Sequence, residues 1–365
     1  MVIQDVTVFR AQVPYDRPYP LSFNAVDMAG ADAIVARIRD RDGRTGWGEV
    51  TILPGYTHET VTSGLAFCLE QAQALVGVKS ADAKRRLIAH VPSSPHAVTP
   101  LLTAIEMMED HALLRRDKTA RVPVLAPIRN RDAALIPDEV EELIGKGHRT
   151  LKVKMGFNVD EDLTRLDLIY KLVNGRARLR IDANQGYTRE GGSRFAAALE
   201  PRFVEWFEQP CDRHDWESNA AVAKVSAVPV MLDEQIYDFS DIQRAAGVTG
   251  VGFVKHVLEK YGGLELLKTA LDHIRICGMR PVLGNGGATD ITSWQEACVA
   301  THTVDLPCEM HSFLKVKEPL LEQPLPFDNG DIVLRPDYRP MVNEATLKRF
   351  TVSEKRFAMS LHAAR

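Results

Sequence analysis

Three acidic residues close three short apolar runs at nearly equal spacing, and no other feature constrains the fold as much. The runs 179–182, 203–208 and 230–233 each read as a strand, and they end in Asp182, Glu208 and Asp233, which follow one another at intervals of 26 and 25 residues. One strand–loop–helix–loop unit accounts for each interval. The same texture extends on both sides. Residues 150–154, 251–255, 281–284 and 306–309 read as strands. Residues 163–173, 193–199, 220–225, 239–246, 264–277 and 294–302 read as helices. With residues 122–125 as the first strand, eight strands alternate with helices. Such units imply a parallel sheet with right-handed crossovers, and eight of them close into a barrel. An open doubly wound sheet is the alternative. It usually carries a glycine-rich phosphate turn after its first strand, and this chain has none there.

The N-terminal part reads differently. Residues 2–13 and 33–38 alternate as strands, and the turn Asp40-Arg41-Asp42-Gly43 leads into a third, Thr45-Gly-Trp-Gly-Glu49. From His58 the period becomes helical, with Leu65, Leu69, Ala72 and Leu75 on one face and Leu101, Ile105 and Met108 on another. The expected organisation is an α+β domain over 1–120, a modified (β/α) barrel over 121–320, and a proline-rich tail over 321–365 packing back on the first domain.

Charge and cysteine usage narrow the function. The net charge is −4 with no basic stripe, which argues against a nucleic-acid or anionic-membrane partner. Cys68, Cys211, Cys277, Cys298 and Cys308 are scattered and odd in number, so a disulfide framework or zinc knuckle is not expected. No apolar run reaches the roughly 18 residues of a membrane span, and the first residues read as a strand, not a signal peptide. The expected location is the cytoplasm.

A barrel gathers the C-terminal ends of its strands at one mouth. Asp182, Glu208 and Asp233 then converge, and three like charges in one place call for a cation. Oxygen-only ligation suits a hard ion, Mg²⁺ first and Mn²⁺ second. One unit earlier, Lys152 and Lys154 share a strand face by the two-residue period, while Leu151 and Val153 face the helices. Paired ammonium groups beside a metal lower each other's pKa, and a lysine tuned toward roughly 7–8 is a general base. Lys255 ends the strand after Asp233 and is placed across the mouth from Lys154, as a second base.

Taken in order, Lys152-Val-Lys154, Arg180-Ile-Asp-Ala-Asn184, Trp206-Phe-Glu-Gln-Pro210 and Met231-Leu-Asp-Glu234 resemble the enolase superfamily. More narrowly, they look like the muconate-lactonizing branch of the mandelate racemase-like enzymes. Gly46-Trp-Gly-Glu49 is similar to the capping-domain signature, so the likeness spans nearly the whole chain. The resemblance implies Mg²⁺ on Asp182, Glu208 and Asp233, and a homo-oligomer. It implies that Lys154 removes a proton α to a carboxylate, with Lys152 holding that carboxylate. Asn184 and Glu234 become supports of the metal ligands. Glu309 matches an acidic position of muconate-cycloisomerase-like members, and Gly284-Asn285-Gly-Gly287 could present backbone N–H groups to a substrate carboxylate. Residues 22–24 and 51–56 resemble two cap loops, with Tyr56 as a pocket wall.

Departures from the pattern matter. In relatives a catalytic lysine stands five residues before a Gly-Gly pair; here the pair is Gly262-Gly263 and that position is Val257. Either Lys255 keeps the role or the second base is missing, with Lys260 in the loop as a weaker substitute. The Asp-x-Asp of dipeptide epimerases and the His/Asp dyad of mandelate racemase-type members are absent, and His256 and His311 read as packing or loop residues. The expected activity is metal-dependent formation of an enolate from a small acid or amino acid, as a cycloisomerase, racemase or epimerase. A dehydrating lyase and a non-catalytic ligand-binding barrel are the alternatives.

Overall fold

A computed structural model describes residues 1–19, 28–53, 55–284 and 286–359. The chain opens with three antiparallel strands, β1 (Ile3–Tyr19), β2 (Met28–Asp40) and β3 (Thr45–Thr51). The β2–β3 turn is tied by Asp40, whose carboxylate accepts from Asp42 N–H and Arg44 N–H, both at 2.9 Å, while Gly43 takes φ +85°. Helices α1 (Val61–Leu75), α2 (Ser80–Ile88) and α3 (Pro95–Met108) follow. Helix α3 lies directly on β3. A Cβ at Gly46 would meet Ala104 O at 2.0 Å and one at Gly48 would meet Pro100 O at 2.1 Å, so only glycine lets helix and strand approach this closely.

Next come β4 (Ala120–Pro123), β5 (Ala126–Ile128), α4 (Ile136–Gly145), β6 (Thr150–Lys154), α5 (Val159–Val173), β7 (Arg178–Asp182), α6 (Arg189–Ala197) and β8 (Val204–Glu208). They are followed by α7 (Trp216–Val225), β9 (Val230–Leu232), α8 (Phe239–Ala246), β10 (Val251–His256), α9 (Leu264–Ile276), β11 (Arg280–Leu283) and α10 (Asp290–Thr303). Strands β5 to β11 form one parallel sheet in sequence order, so the alternation of strand and helix produces the modified barrel.

Closure differs from the expected eight strands. Residues 122–125 are not the first barrel strand: β4 pairs antiparallel with β13 (Asp331–Leu334), which itself pairs with β12 (Phe327–Asp328), and the barrel begins at β5. The expected last strand, 306–309, shrinks to a bridge. Cys308 N–H donates to Pro123 O at 2.8 Å, Leu125 N–H to Cys308 O at 2.9 Å, and Glu309 N–H to Leu283 O at 2.8 Å. Pro123 and Pro307 lack an N–H, so neither segment can extend a ladder through them. Arg180 donates to Pro307 O at 2.6 Å and stacks on Trp206, 3.8 Å from its ring centre.

Strand alternation sorts the side chains. Leu151, Val153, Leu179, Ile181 and Phe207 face the helices in the large core, whereas Trp206, Met231, Phe253 and Val282 form a separate apolar plug inside the ring. The C-terminal residues divide between two sheets, β12 and β13 beside β4 and the last strand beside β1. After α11 (Glu344–Phe350), β14 (Thr351–Ala358) pairs antiparallel with β1, and Arg37 donates to Glu344 at 2.6 Å. Among the described residues, no helix is long and apolar enough to cross a membrane, and all five cysteines are free thiols.

Candidate active site

Parallel register sets the rim. Lys154 pairs with Asp182 and Asp182 with Glu208, so the C-terminal ends of β6, β7 and β8 lie level. Asp233 directly follows β9. Above the apolar plug buried charged side chains gather, and lysine nitrogens lie between the carboxylates. Lys152 Nζ is 2.9 Å from Asp182, 2.7 Å from Glu208 and 2.8 Å from Glu309. Lys255 Nζ is 2.7 Å from Glu208, 2.7 Å from Asp233 and 3.2 Å from Glu309. Lys154 Nζ donates to Asp182 Oδ2 and to Asn184 Oδ1, both at 2.6 Å.

Desolvation opposes charge on every one of these groups, and the partners decide the outcome. Burial would lower Lys152, but Asp182, Glu208 and Glu309 raise it well above the ordinary lysine value. Lys154 is likewise raised, chiefly by Asp182, and Lys255 by Asp233, Glu208 and Glu309, in each case against burial. Burial would raise Asp182 and Asp233; the lysines hold both well below the carboxylate range. Glu208 is pushed up by burial and by Asp182 and Glu309, and pulled back by Lys152 and Lys255. Glu234 is pushed up to about 7 by burial, Asp233 and Asp182.

A ring of neutral partners orients this centre. Asn184, at φ +40°, donates its side-chain amide to Glu234 at 2.8 Å and its backbone N–H to Asp182 Oδ1 at 2.8 Å. From the cap, Tyr56 donates to Asp233 Oδ1 at 2.8 Å, and the loop bearing it is pinned by Arg213 and Tyr237, which both donate to Tyr56 O. Tyr56, Lys152, Lys154, Lys255, Val257 and Glu309 all face one cavity under the cap. Asn285 and residues 22–24 lie outside the described residues. His256 meets Tyr261 OH at 2.9 Å, and His311 packs near Tyr19.

Two participants were given little or no weight by sequence reasoning. Lys260 belongs to a single 3-10 turn (Leu258–Lys260) that folds back inward, and its ammonium reaches Asp233 O at 2.6 Å and Oδ1 at 3.0 Å. Gln209, at φ +35°, accepts from Asp233 N–H at 3.0 Å; its place in Trp206-Phe-Glu-Gln-Pro210 was the available signal. Lys255 lines the same cavity as Lys154 and lies between Glu208 and Asp233.

Residues 136–340 match a family model described as Enolase C-terminal domain-like. The chain belongs to this family. Similar proteins within the enolase superfamily include an N-succinyl-L-Arg/Lys racemase from Bacillus cereus, 22% identical over 371 residues (96% of this chain, 98% of the relative). Its crystal structure aligns with a TM-score of 0.87 at 20% identity, covering 98% of this chain and 100% of that one. A muconate lactonizing enzyme from Pseudomonas fluorescens, solved with muconolactone, aligns at 0.87 with 22% identity over 96% and 99% of the two chains. A dipeptide epimerase from Cytophaga hutchinsonii, solved with Mg and D-Ala-L-Val, aligns at 0.86 with 16% identity over 98% and 100%. The relatives of this enolase-like chain include racemases, epimerases and cycloisomerases, as the ordered motifs led one to expect, and also an o-succinylbenzoate synthase from Thermosynechococcus vestitus, 26% identical over 216 residues (58% of this chain, 63% of the relative).

Among the described residues no three His, Cys, Asp or Glu side chains are spaced as ligands about one point. The donor set still suits a hard cation in kind. Asp182, Glu208 and Asp233 are buried, supply only oxygen, and already draw cationic nitrogens, Lys152 and Lys255, which stand in for such an ion.

Proposed function

We propose that this chain removes a proton α to the carboxylate of a small acid or amino-acid derivative, with Lys154 as the base, and acts as an isomerase through the resulting enolate. The observation that carries this reading is the placement of Lys154. It reaches the cavity at the strand end, with Asp182 on one side and the Asn184–Glu234 pair on the other. Lys152, one inward position below, offers a fixed positive charge toward which a substrate carboxylate can be drawn. A proton of this kind is very weakly acidic, and the enolate needs strong electrostatic support. A divalent ion, Mg²⁺ or Mn²⁺, held by Asp182, Glu208 and Asp233 would supply Lewis-acid stabilisation.

The base works as the free amine. Asp182 holds the Lys154 proton in the present arrangement, so any cationic partner that engages Asp182 releases Lys154, while Asn184 keeps it aimed. The cap closes the cavity through Tyr56 and limits water. We place the enzyme in the cytoplasm, as a homo-oligomer.

One observation favours a narrower chemistry. Val257, not a lysine, faces the cavity at the end of β10. A methyl-bearing wall neither takes nor gives a proton, and Lys255 in the same cavity is held by Glu208 and Asp233, so one-base syn reactions are favoured: cycloisomerisation, or β-elimination of water as a lyase. Both readings are tested by incubating the protein with a panel of carboxylic acids and N-acyl amino acids in deuterated water. Gain of one mass unit marks exchange and loss of water marks elimination. Either activity must vanish in Lys154→Ala; activity that survives it overturns the reading.

A further inference from the structure

Four ammonium groups lie among the carboxylates of the barrel mouth: Lys152, Lys154, Lys255 and Lys260 meet Asp182, Glu208, Asp233 and Glu309. Within this set Lys152 bridges Asp182 and Glu208, and Lys255 bridges the next pair. Lys255 Nζ lies between Glu208 Oε1 and Asp233 Oδ2, each at 2.7 Å. These are two of the three carboxylates assigned above to a divalent ion. We infer that Lys255 is an internal counter-ion that competes with a divalent cation for Glu208 and Asp233. The inference rests on that ligand assignment, not on the reaction assigned to Lys154.

The physical reason is exclusion. Magnesium takes oxygen ligands at about 2.0–2.1 Å in near-octahedral geometry. An ammonium already lying between the two oxygens takes up that space and satisfies their charge. A dication entering beside it sets two further positive charges against a buried ammonium, where repulsion is weakly screened. Lys255 must therefore leave as the ion arrives. Downward it meets the apolar plug of Trp206, Met231, Phe253 and Val282. Sideways Glu309, already 3.2 Å away, receives it. The residue two positions on is Val257, which offers no alternative charge at the rim. A lysine at position 255 thus lowers the site's affinity for divalent ions and makes occupancy dependent on the ion's concentration.

The test is Mn²⁺ binding, read from the free-ion electron paramagnetic resonance signal, on the full-length wild type, Lys255→Met and Lys255→Gln. The expected result is Mn²⁺ affinity at least tenfold higher in both variants. Adding Asp233→Asn to either variant should abolish the gain. Far-ultraviolet circular dichroism of each variant establishes that it is folded, and the Gln variant serves if the Met variant is not. Equal affinity of wild type and folded variants overturns the inference. If that equal affinity is tight, the ligand assignment stands; if none of the three binds Mn²⁺, the ligand assignment falls as well.

Discussion

Tyr56 of the cap and Asp233 of the barrel share a hydrogen bond of 2.8 Å. It joins a loop of the first domain to a carboxylate at the centre of the second. A bond to a charged acceptor contributes about 1.5–3 kcal/mol where it is buried. Tyr56→Phe keeps the ring and its contact with His96 and removes only the hydroxyl. We expect a loss of about 1–2 kcal/mol and faster amide exchange in the segment around Tyr56, measured by hydrogen–deuterium mass spectrometry. Unchanged exchange there would show that the loop is held by Arg213 and Tyr237 alone.

Glu49 makes the second tie between the domains. Its carboxylate accepts from the backbone N–H and hydroxyl of Thr289 and of Thr292, at the N-terminus of α10. A carboxylate there satisfies otherwise unpaired helix N–H groups and complements the helix dipole. Glu49→Ala should cost about 2–4 kcal/mol in urea unfolding, and Glu49→Gln clearly less, because removing the whole group strands several buried donors. Similar losses in both would mean that charge, not hydrogen bonding, carries the contact.

Glu106 gives a pH signature. It accepts from Leu264 N–H at 2.8 Å at the start of α9, and burial pushes its carboxyl up to about 7. An unfolded glutamate titrates near 4.3. Between those values the folded chain binds the extra proton, so this group's contribution to stability is full below about pH 4.3 and declines as pH rises to about 7. The span corresponds to a magnitude on the order of 3 kcal/mol. Glu106→Gln should flatten that slope. Denaturation curves at pH 5 and pH 7.5 check it: parallel shifts of wild type and variant would contradict the assignment.

Lys154→Arg separates charge from basicity. Arginine preserves a cation next to Asp182 but is not deprotonated near neutral pH. Stability should therefore stay within about 1 kcal/mol of wild type, whereas α-proton exchange should fall by about 10²–10⁴. Retained exchange would move the base elsewhere, with Lys260 the next group to test.

The phasing of Asp182, Glu208 and Asp233 was readable because it is local arithmetic: each strand–helix unit has a set length, and each strand ends at the same rim. The inward aim of Lys152 and Lys154 was readable for the same reason, since period two needs no tertiary knowledge. The first barrel strand was misplaced because apolar alternation at 122–125 fits either sheet, and the choice of partner is made by residues 331–334, far along the chain. Lys260 was undervalued because a three-residue turn that folds back has no periodic signature. The partners of Lys255 were also hidden, because whether a strand-end lysine is held between two carboxylates depends on the charge gathered from other strands.

Among the described residues the parallel sheet is joined end to end through Cys308, hydrogen-bonded to Pro123 and Leu125, and Glu309, hydrogen-bonded to Leu283. The ring is therefore a seven-stranded ribbon with a clasp, and Glu309 is one of the two residues of that clasp. If the clasp opens, Glu309 departs with it, and Lys152 and Lys255 each lose one of the anions that hold them. Mechanical continuity of the backbone and electrical neutrality of the interior are thus one property in this molecule, and the amide protons of Leu125 and Cys308 report on both.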